Sequence, residues 1–241
     1  MLQVCVNGAR ESSAHPELST EPARMAAHAA YALSAGAREI HLHPKDERGR
    51  DSIAPADVDR WVLAFRRACP GVPLGVTTGE WARVSPQGPG DPASRLSAIG
   101  GWTQLPDYAS VNWHEEGADD LADLLLSRGV AIEAGIWHEA GADAWRASPV
   151  RGRCLRVLIE LPDLPAVDVG SRADALAAAV RAAEPTMPIL LHGEERSTWP
   201  AIDLARAHGF DSRIGLEDTL ALPDGTPAAG NADLVRAALR R

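Results

Sequence analysis

Cysteine is scarce in this sequence of 241 residues, and the few cysteines present form no recognisable pattern. Cys5, Cys69 and Cys154 are scattered along the chain and odd in number, and there is no C-x-x-C pair. Without such a pair, zinc-finger chemistry is excluded. A scattered, odd set is typical of a reduced cytoplasmic protein rather than of a disulfide-stabilised scaffold. We therefore expect a cytoplasmic location.

Long apolar runs and an excess of positive charge are also missing. No run approaches the roughly 18 apolar residues of a membrane-spanning helix. Residues 1–7 contain no basic region and lead directly into a predicted strand, so we expect no signal peptide. A net charge of -9 and an isoelectric point near 5.4 argue against a general binder of nucleic acid or anionic membranes. A local basic pocket for an anionic cofactor is still compatible with this charge.

The residues that are present suit a folded domain with a large core, since 45% of them are hydrophobic and the mean hydropathy is -0.16. Short apolar runs alternate with amphipathic segments eight times along the chain. Predicted strands cover residues 3–9, 39–43, 73–78, 108–113, 131–137, 155–160, 188–192 and 212–216. Predicted helices cover residues 21–35, 55–68, 92–99, 118–128, 142–147, 172–183, 200–208 and 232–240.

This alternation predicts an α/β fold, a (β/α)8 TIM barrel with eight parallel strands. The strands are continuous apolar runs, as expected when both faces are buried. The helices show the i, i+3, i+4 spacing of Leu121, Leu124 and Leu125. Eight such units fit one barrel domain over residues 1–241. A doubly wound open sheet is the alternative, but no G-x-G-x-x-G sequence follows the first strand.

Two histidines at the end of the second predicted strand, His41 and His43, form the most informative pattern. Side chains at i and i+2 of a strand point to the same face and lie about 7 Å apart along the backbone. Two imidazoles placed this way can bind one metal ion. Two His and one carboxylate are a common catalytic zinc set with an open position. The alternative is a pair of buried, hydrogen-bonded histidines.

The end of the eighth predicted strand supplies the acids. In a closed barrel, strand eight neighbours strand one and strand two comes next, so Glu217 can reach a metal held by the two histidines. Asp218 beside it is then a candidate base. Arg213 in the same strand can pair with an acid or bind a substrate carboxylate. A surface arginine at a strand start is an equally good interpretation of Arg213.

Other polar residues follow the strand ends, where barrel enzymes place their chemistry. After the third strand, the hydroxyls of Thr77 and Thr78 could bind a carboxylate or an oxyanion. Gly79 beside them has no side chain, so a ligand can approach its backbone closely. Asn7 and Glu11 after the first strand and Asn112 after the fourth are further substrate-binding candidates.

The order of several motifs resembles that of the β-keto acid cleavage enzymes, whose founding activity is 3-keto-5-aminohexanoate cleavage in lysine fermentation. The motifs run in sequence as N-G-A, H-P-x-L-S-T-E-P-A-R, A-G-A-x-x-I-H-L-H, T-T-G-E, S-V-N and R-I-G-L-E-D-T-L-x-L-P-D-G-T-x-A-x-x-N-A-D-L-V. The resemblance covers nearly the whole chain, and its most specific part is the closing segment, residues 213–235.

The resemblance implies a zinc-dependent barrel that condenses a β-keto acid with acetyl-CoA and yields acetoacetate and a new acyl-CoA by a retro-Claisen route. By position, His41, His43 and Glu217 would bind Zn²⁺, and Asp218 with Arg213 would form the acetyl-CoA carbanion. The same resemblance implies that Thr77 replaces a substrate-binding serine and that Asn112 faces the pocket. It also implies a homo-oligomer, either a dimer or a tetramer.

The sequence departs from the family pattern in several places. Arg10, with Glu11 beside it, stands where the founding enzyme has an acid, and Glu80 replaces a glycine. The chain ends one helix after the eighth strand, so we expect a barrel shortened at the C-terminus, with trimmed loops for CoA or oligomer contacts. Acidic residues at the strand ends, Glu194 and Glu195 among them, favour a cationic keto acid over a polyphosphate.

Two other function classes are compatible with these residues. One is a CoA-independent zinc lyase or aldolase, or a metal hydrolase, on the same barrel. The common barrel hydrolases carry H-x-H on strand one, whereas this chain has it on strand two, which argues against hydrolysis. The other is a non-catalytic metabolite binder. The presence of Asp218 and Arg213 argues against it, because a site that no longer catalyses a reaction is expected to lose its catalytic base early.

Overall fold

The computed structural model describes residues 1–85 and 87–241, and eight of its strands close into a parallel barrel. The strands are β1 (Leu2–Cys5), β2 (Glu39–Leu42), β3 (Leu74–Thr77), β4 (Arg83–Ser85), β5 (Gly88–Pro89), β6 (Tyr108–Asn112), β7 (Ala131–Ile136), β8 (Arg156–Leu161), β9 (Ile189–Gly193) and β10 (Asp211–Ile214). Strands β4 and β5 form a separate antiparallel pair, and the barrel order is β1-β2-β3-β6-β7-β8-β9-β10 with β10 paired to β1. The predicted (β/α)8 TIM barrel is confirmed.

A helix follows every barrel strand. The helices are α1 (Pro22–Ser34), α2 (Pro55–Ala68), α3 (Pro92–Gly100), α4 (Ala118–Ser127), α5 (Glu139–Ala147), α6 (Ala166–Ala183), α7 (Thr198–His208) and α8 (Asn231–Arg240). The largest departure from prediction is α6, which begins at Ala166 rather than at residue 172. Its first turns contain Val and Gly, which are poor helix formers, but Val169 packs in the core and holds them helical. Within the described ranges, no helix is long and apolar enough to cross a membrane.

The strand register brings the carboxyl ends of the strands to one mouth of the barrel. Cys5 of β1 lies opposite His41 of β2, and Thr77 of β3 lies opposite Ser110 of β6. On the far side, Glu160 of β8 lies opposite His192 of β9. These residues follow or end apolar runs, so the chemistry-bearing side chains are held at one level by the barrel's hydrogen bonds.

The opposite end of the barrel is closed by a buried polar network. The Nε2 atom of Gln3 donates to Tyr108 Oη at 2.9 Å and to Glu133 Oε1 at 3.0 Å. Arg156 donates through Nε to Glu133 Oε1 at 2.7 Å and pairs with Glu39. The guanidinium carbon of Arg156 lies 5.2 Å from the centre of the Tyr108 ring. The pairing of Arg156 with Glu133 and Glu39 offsets a cost that burial of these charges alone would carry.

We expect Arg156→Met to destabilise the barrel by about 3–5 kcal/mol, because it leaves Glu133 buried without its cation. Urea unfolding followed by circular dichroism measures this free energy. Arg153→Met is the matched control, since Arg153 pairs with Asp123 on the surface and both side chains are more than half exposed; the expected loss is about 0–1 kcal/mol. Equal stability of the two variants would show that the network contributes nothing beyond a surface pair.

Candidate metal centre

Three side chains converge at the barrel mouth in the pattern of a metal site. The nitrogen and oxygen ligand atoms of His41, His43 and Glu217 all lie within 4.8 Å of one another. The two histidines come from β2 and the residue after it, and Glu217 comes from the turn that follows β10. This turn fits against β1 because Gly215 has no side chain: a Cβ there would stand 1.8 Å from the Cys5 carbonyl oxygen.

Surrounding residues fix the orientation of His43. Its backbone N–H donates to Asn7 Oδ1 at 2.9 Å, and Asn7 Nδ2 donates to its carbonyl at 2.7 Å. Its Nδ1 lies 2.9 Å from Asp51 Oδ2, and Asp51 is held in turn by Lys45 and, at 2.8 Å, by Trp81 Nε1. An imidazole whose Nδ1 contacts a carboxylate presents Nε2 to a metal, which is the usual support of a metal-binding histidine. That Nε2 atom lies 3.5 Å from Glu217 Oε1.

The protonation states of His41 and Glu217 and two unpaired atoms also fit a divalent metal. Burial lowers the pKa of His41 well below its usual value, so this imidazole is neutral. Burial opposes ionisation of Glu217, but Arg213 and the two histidines hold its pKa well below the usual range. Among the described residues, His41 Nδ1 and Glu217 Oε2 are buried without a hydrogen-bond partner. Buried polar atoms are normally paired, so unpaired atoms in this cluster point to an absent ligand.

We expect Asp51→Asn to weaken metal binding about 10- to 100-fold, because the carboxylate that orients His43 is lost. Competition with a chromogenic chelator measures the metal affinity. Asp46→Asn is the matched control, since Asp46 lies in the same loop and pairs with Arg50 rather than with a histidine. Unchanged metal affinity of Asp51→Asn would mean that Asp51 does not support the metal site.

A cavity of about 460 Å³ opens beside the three ligands. Its walls are formed by Ala9, Arg10, His41, His43, Thr77, Trp81, Ser110, Asn112, Trp137, Glu160, Glu194, Glu195, Arg213 and Glu217. These residues come from the carboxyl ends of strands all around the barrel, as expected for a barrel active site. The volume suits a small-molecule substrate.

Aromatic rings form one side of the cavity. The Trp81 ring is stacked on His43 at 6.2 Å between ring centres and lies 6.4 Å from the Trp137 ring. His114 lies behind Trp137 at 5.1 Å. Acidic residues form the opposite side, where Glu194 and Glu195 follow β9. The cavity therefore has one apolar wall and one charged wall.

A chain of buried polar side chains runs from the cavity to Asp218. Glu160 on the cavity wall lies 3.1 Å from His192 Nε2, and His192 Nδ1 lies 3.1 Å from Asp218 Oδ1. The other oxygen of Asp218 accepts a hydrogen bond from Cys5 Sγ at 2.7 Å. Burial lowers the pKa of His192 and Arg213 lowers it further, but Glu160 and Asp218 outweigh both and raise it to about 9. The imidazole is therefore charged at neutral pH and binds both carboxylates.

Arg213 is the central cation of the site. Its Nη2 atom donates to Glu217 Oε1 at 2.8 Å and lies 3.4 Å from Glu160 Oε2. Its Nε atom is 3.9 Å from Asp218 Oδ1. Although burial disfavours the charged form, Glu217 and Glu160 raise the pKa of Arg213 well above its ordinary value. Arg213 therefore lies close to three carboxylates: the expected metal ligand Glu217, the cavity residue Glu160 and the candidate base Asp218.

The structure brings together only some of the residues that the sequence suggested. The cavity walls include the three expected ligands and also Arg213, Thr77 and Asn112. The residues outside the cavity walls are Asp218, Asn7, Thr78, Gly79 and Glu11. Asp218 is fully buried, and Thr78 donates its hydroxyl to the Ser110 carbonyl at 2.6 Å. Gly79 lies against the Trp81 ring, and Glu11 is exposed. The catalytic role of Asp218 and the substrate-binding roles of the other four residues stay predictions.

Sequence reasoning did not assign roles to several residues that shape the site. Asp51 lies eight positions after His43, in a loop without any spacing signal. Cys5 was placed in the first predicted strand and given no role. Its thiol contacts Asp218, which lies 213 positions away in the sequence. His192 lies between Glu160 and Asp218 and contacts both carboxylates. Contacts made across the barrel leave no local pattern in the sequence.

Comparison with known proteins adds the family. A family model for "beta-keto acid cleavage enzyme" (BKACE) matches residues 1–140 and 165–241. No curated protein matches the chain.

Solved structures share the barrel. The ternary complex of ObcA with C4-CoA adduct and oxalate is 18% identical, with a TM-score of 0.70 over 93% of this chain and 63% of that chain. The binary complex of ObcA with oxaloacetate has the same identity and coverage and a TM-score of 0.68. A type I 3-dehydroquinate dehydratase from Clostridium difficile is 11% identical, with a TM-score of 0.63 over 99% of this chain and 90% of that chain. At these identities the likeness shows the fold alone, and the chain spans about 63% of the length of ObcA.

Proposed function

Because the chain belongs to the β-keto acid cleavage enzyme family, we propose that it condenses a β-keto acid with acetyl-CoA and releases acetoacetate and a new acyl-CoA. The observation that carries this proposal is the convergence of His41, His43 and Glu217 beside Arg213 at a substrate-sized cavity. Family membership supports the reaction class, and the cavity supports a small-molecule substrate.

The metal is proposed to be Zn²⁺. Two imidazoles and one carboxylate are a common catalytic zinc set that leaves a coordination position for substrate. When bound, Zn²⁺ supplies Lewis-acid polarisation of the keto oxygen. His41 would hold this ion as a neutral imidazole, and Glu217 as a carboxylate whose second partner is Arg213. Burial lowers the pKa of His43, but Glu217 and Asp51 outweigh it and raise this pKa to about 9, so His43 would release a proton when it binds the ion.

Asp218 is proposed to be the base for the carbanion, with Arg213 close to it. The proton leaves the α-carbon of the β-keto acid rather than the acetyl-CoA methyl group, because acetoacetate requires a bond between that α-carbon and the acetyl carbonyl. Since Asp218 is fully buried, its route to the cavity runs through His192 and Glu160, which lie between it and the cavity wall. The carbanion attacks the thioester carbonyl of acetyl-CoA and displaces CoA as its thiolate. The thiolate then attacks the keto carbon, and the bond between this carbon and the α-carbon breaks, which gives the new acyl-CoA and an acetoacetate carbanion that takes up a proton. Thr77 and Asn112 are proposed to orient the substrate from the cavity wall.

The charge of the cavity supports a keto acid with a cationic group. Glu194 and Glu195 line the wall, and the nearby Arg10 is paired with Glu195 rather than free for an anion. An ammonium group on the substrate would be attracted to these carboxylates and to the faces of Trp81 and Trp137.

Acetoacetate release from a panel of β-keto acids tests the proposal. The purified protein, analysed for metal, is given keto acids with cationic, neutral and anionic distal groups, each with and without acetyl-CoA. We expect release that requires acetyl-CoA and is fastest with a cationic group. No acetoacetate from any keto acid would contradict the proposed function.

A CoA-independent lyase is the second candidate. The acidic wall of Glu194 and Glu195 favours it, because these carboxylates repel the phosphates of CoA. In the same experiment, cleavage of a keto acid without acetyl-CoA would establish this candidate in place of the first.

A further inference from the structure

A buried carboxylate, Glu115, binds the amide group of Asn112 at the cavity wall. Asn112 ends β6, and Glu115 lies three positions later with its side chain only 2% exposed. Asn112 Nδ2 donates to Glu115 Oε1 at 2.8 Å. The other carboxylate oxygen, Oε2, accepts from Arg95 Nη2 at 2.7 Å and from the backbone N–H of Glu80 at 3.1 Å. Donors therefore occupy both oxygens of Glu115.

Arg95 fixes Glu115 in this position. Arg95 lies on α3, and its side chain is 4% exposed. The same Nη2 atom that binds Glu115 also donates to the carbonyl of Thr78 at 2.8 Å. Hydrogen bonds between charged groups are about twice as strong as neutral ones, and turning Glu115 away would leave the buried guanidinium without its carboxylate, which is costly. The carboxylate that Asn112 meets is thus held rigidly.

This arrangement decides which end of the Asn112 amide faces the cavity. A carboxylate can only accept hydrogen bonds, so the amide atom beside Glu115 must be the nitrogen, and the oxygen must point the other way. Asn112 Oδ1 lies above Gly135, the residue opposite Asn112 on β7. A Cβ on Gly135 would stand 2.3 Å from this oxygen. Gly135 therefore leaves the space that this orientation of the amide needs.

The amide oxygen of Asn112 is an available acceptor. Among residues 1–85 and 87–241, no donor forms a hydrogen bond with Asn112 Oδ1, and this oxygen is not one of the buried atoms that lack a partner. Since Asn112 lines the cavity, the oxygen is open to a molecule bound there. Such a molecule needs an N–H or O–H group to bind it.

A β-keto acid offers such a group in one region only. Its ionised carboxylate and its keto oxygen are acceptors, so a donor must belong to the distal group. Trp137 follows Gly135 by two positions and therefore shares its face of β7. The face of an aromatic ring attracts any cation, methylated or not. An acceptor oxygen beside it selects a cation that carries an N–H.

We propose that Asn112 Oδ1 accepts a hydrogen bond from an N–H or O–H in the distal group of the keto acid, and that Glu115 is the positioning residue that fixes Asn112 as an acceptor. This inference rests on the proposed function, which supplies the keto acid as the substrate. It assigns to the buried pair of Arg95 and Glu115 a role in specificity beyond holding the loop after β6.

Glu115→Gln tests the inference, because it reverses the polarity of the contact. The new amide oxygen keeps the contacts to Arg95 and the Glu80 N–H, so the new NH₂ group faces Asn112. Asn112 then accepts from this group and presents its own NH₂ to the cavity. Two keto acids of equal charge serve as probes, one with a distal primary ammonium and one with a trimethylammonium. We expect the wild-type preference in kcat/KM for the primary ammonium to fall at least about 10-fold, through KM rather than turnover number.

The double variant Asn112→Asp, Glu115→Gln is the rescue. One oxygen of the new carboxylate at position 112 accepts from the new amide and the other faces the cavity, so the preference for the primary ammonium should return. Asn112→Ala removes the acceptor, leaves the ion pair of Arg95 and Glu115 intact, and should lose the preference as Glu115→Gln does. It keeps the test valid if Glu115→Gln does not fold, which thermal unfolding shows.

Glu116→Gln is the matched control, since it removes the same charge from the adjacent, exposed position and should keep the wild-type preference. An equal loss of kcat/KM for both probes in Glu115→Gln would mean that Glu115 acts through its charge alone and would overturn the inference. A raised KM for acetyl-CoA instead of the keto acid would assign the acceptor to an amide N–H of CoA.

The inference and the proposed function fail in different ways. A wild-type protein that releases acetoacetate, together with a Glu115→Gln variant that keeps the preference for the primary ammonium, contradicts the inference alone. A wild-type protein that releases no acetoacetate from any keto acid contradicts the proposed function, and the inference with it.

Discussion

His41→Ala is expected to lose its metal and at least about 10³-fold of its turnover, because one of three ligands and the Lewis-acid polarisation are removed together. Several kcal/mol of charge stabilisation come from a metal in this role, and each 1.36 kcal/mol corresponds to a tenfold change in rate. His41 is buried, and its pKa is lowered mainly by burial, so it is a neutral ligand. Mass-spectrometric metal analysis and acetoacetate release measure the two effects.

His208→Ala is the matched control for this variant. His208 is exposed at the end of α7 and lies 3.1 Å from Asp174. It precedes the amino end of β10, whereas the three ligands lie at the carboxyl ends of the strands. It should retain both metal and turnover. A His41→Ala protein with a full complement of metal and full activity would show that the metal site has been misassigned.

Asp218→Asn is expected to keep its metal and lose about 10²- to 10⁴-fold of its turnover, the usual contribution of general acid–base catalysis. Asparagine has nearly the same shape and can still accept a hydrogen bond from Cys5 or His192, but it cannot take a proton. The ligands His41, His43 and Glu217 are unchanged, so the metal content should equal that of the wild type. Steady-state kinetics with parallel metal analysis measure this separation.

The control here is Asp224→Asn, in the exposed turn where Asp224 accepts hydrogen bonds from Thr226. It should behave as the wild type. If Asp218→Asn turned over at the wild-type rate, Asp218 would not be the base, and its burial between Cys5 and His192 would be structural. If it lost its metal, a role in supporting the metal site would replace the role in proton transfer.

Much of the fold follows from the pattern of apolar residues. Eight apolar runs separated by amphipathic helices specify a parallel barrel, because only closure buries both faces of every strand without exposing an edge. Strand ends were harder to place: the first strand was expected to end at residue 9 but ends at Cys5. The short pair Arg83–Ser85 and Gly88–Pro89 was missed, because segments of two or three residues have no detectable period.

The three expected metal ligands could be predicted from the sequence for a simple physical reason. His41 and His43 share a face through the two-residue period of a strand, and Glu217 is brought to them by barrel closure. The contacts that support the ligands and Asp218 could not be predicted in this way. Asp51 contacts His43 through a loop, and the Cys5 thiol meets Asp218 only after closure joins the first and last strands. The single domain, the cytoplasmic location and the homo-oligomer stay predictions.

The most direct measurement of the central claim is acetoacetate release by metal-stripped protein to which Zn²⁺ and acetyl-CoA are returned separately and together. The ligand set of His41, His43 and Glu217 beside the cavity predicts release only when both are present. Cleavage of the keto acid by metal-free protein, or at the same rate without acetyl-CoA, would contradict metal- and CoA-dependent β-keto acid cleavage at this site.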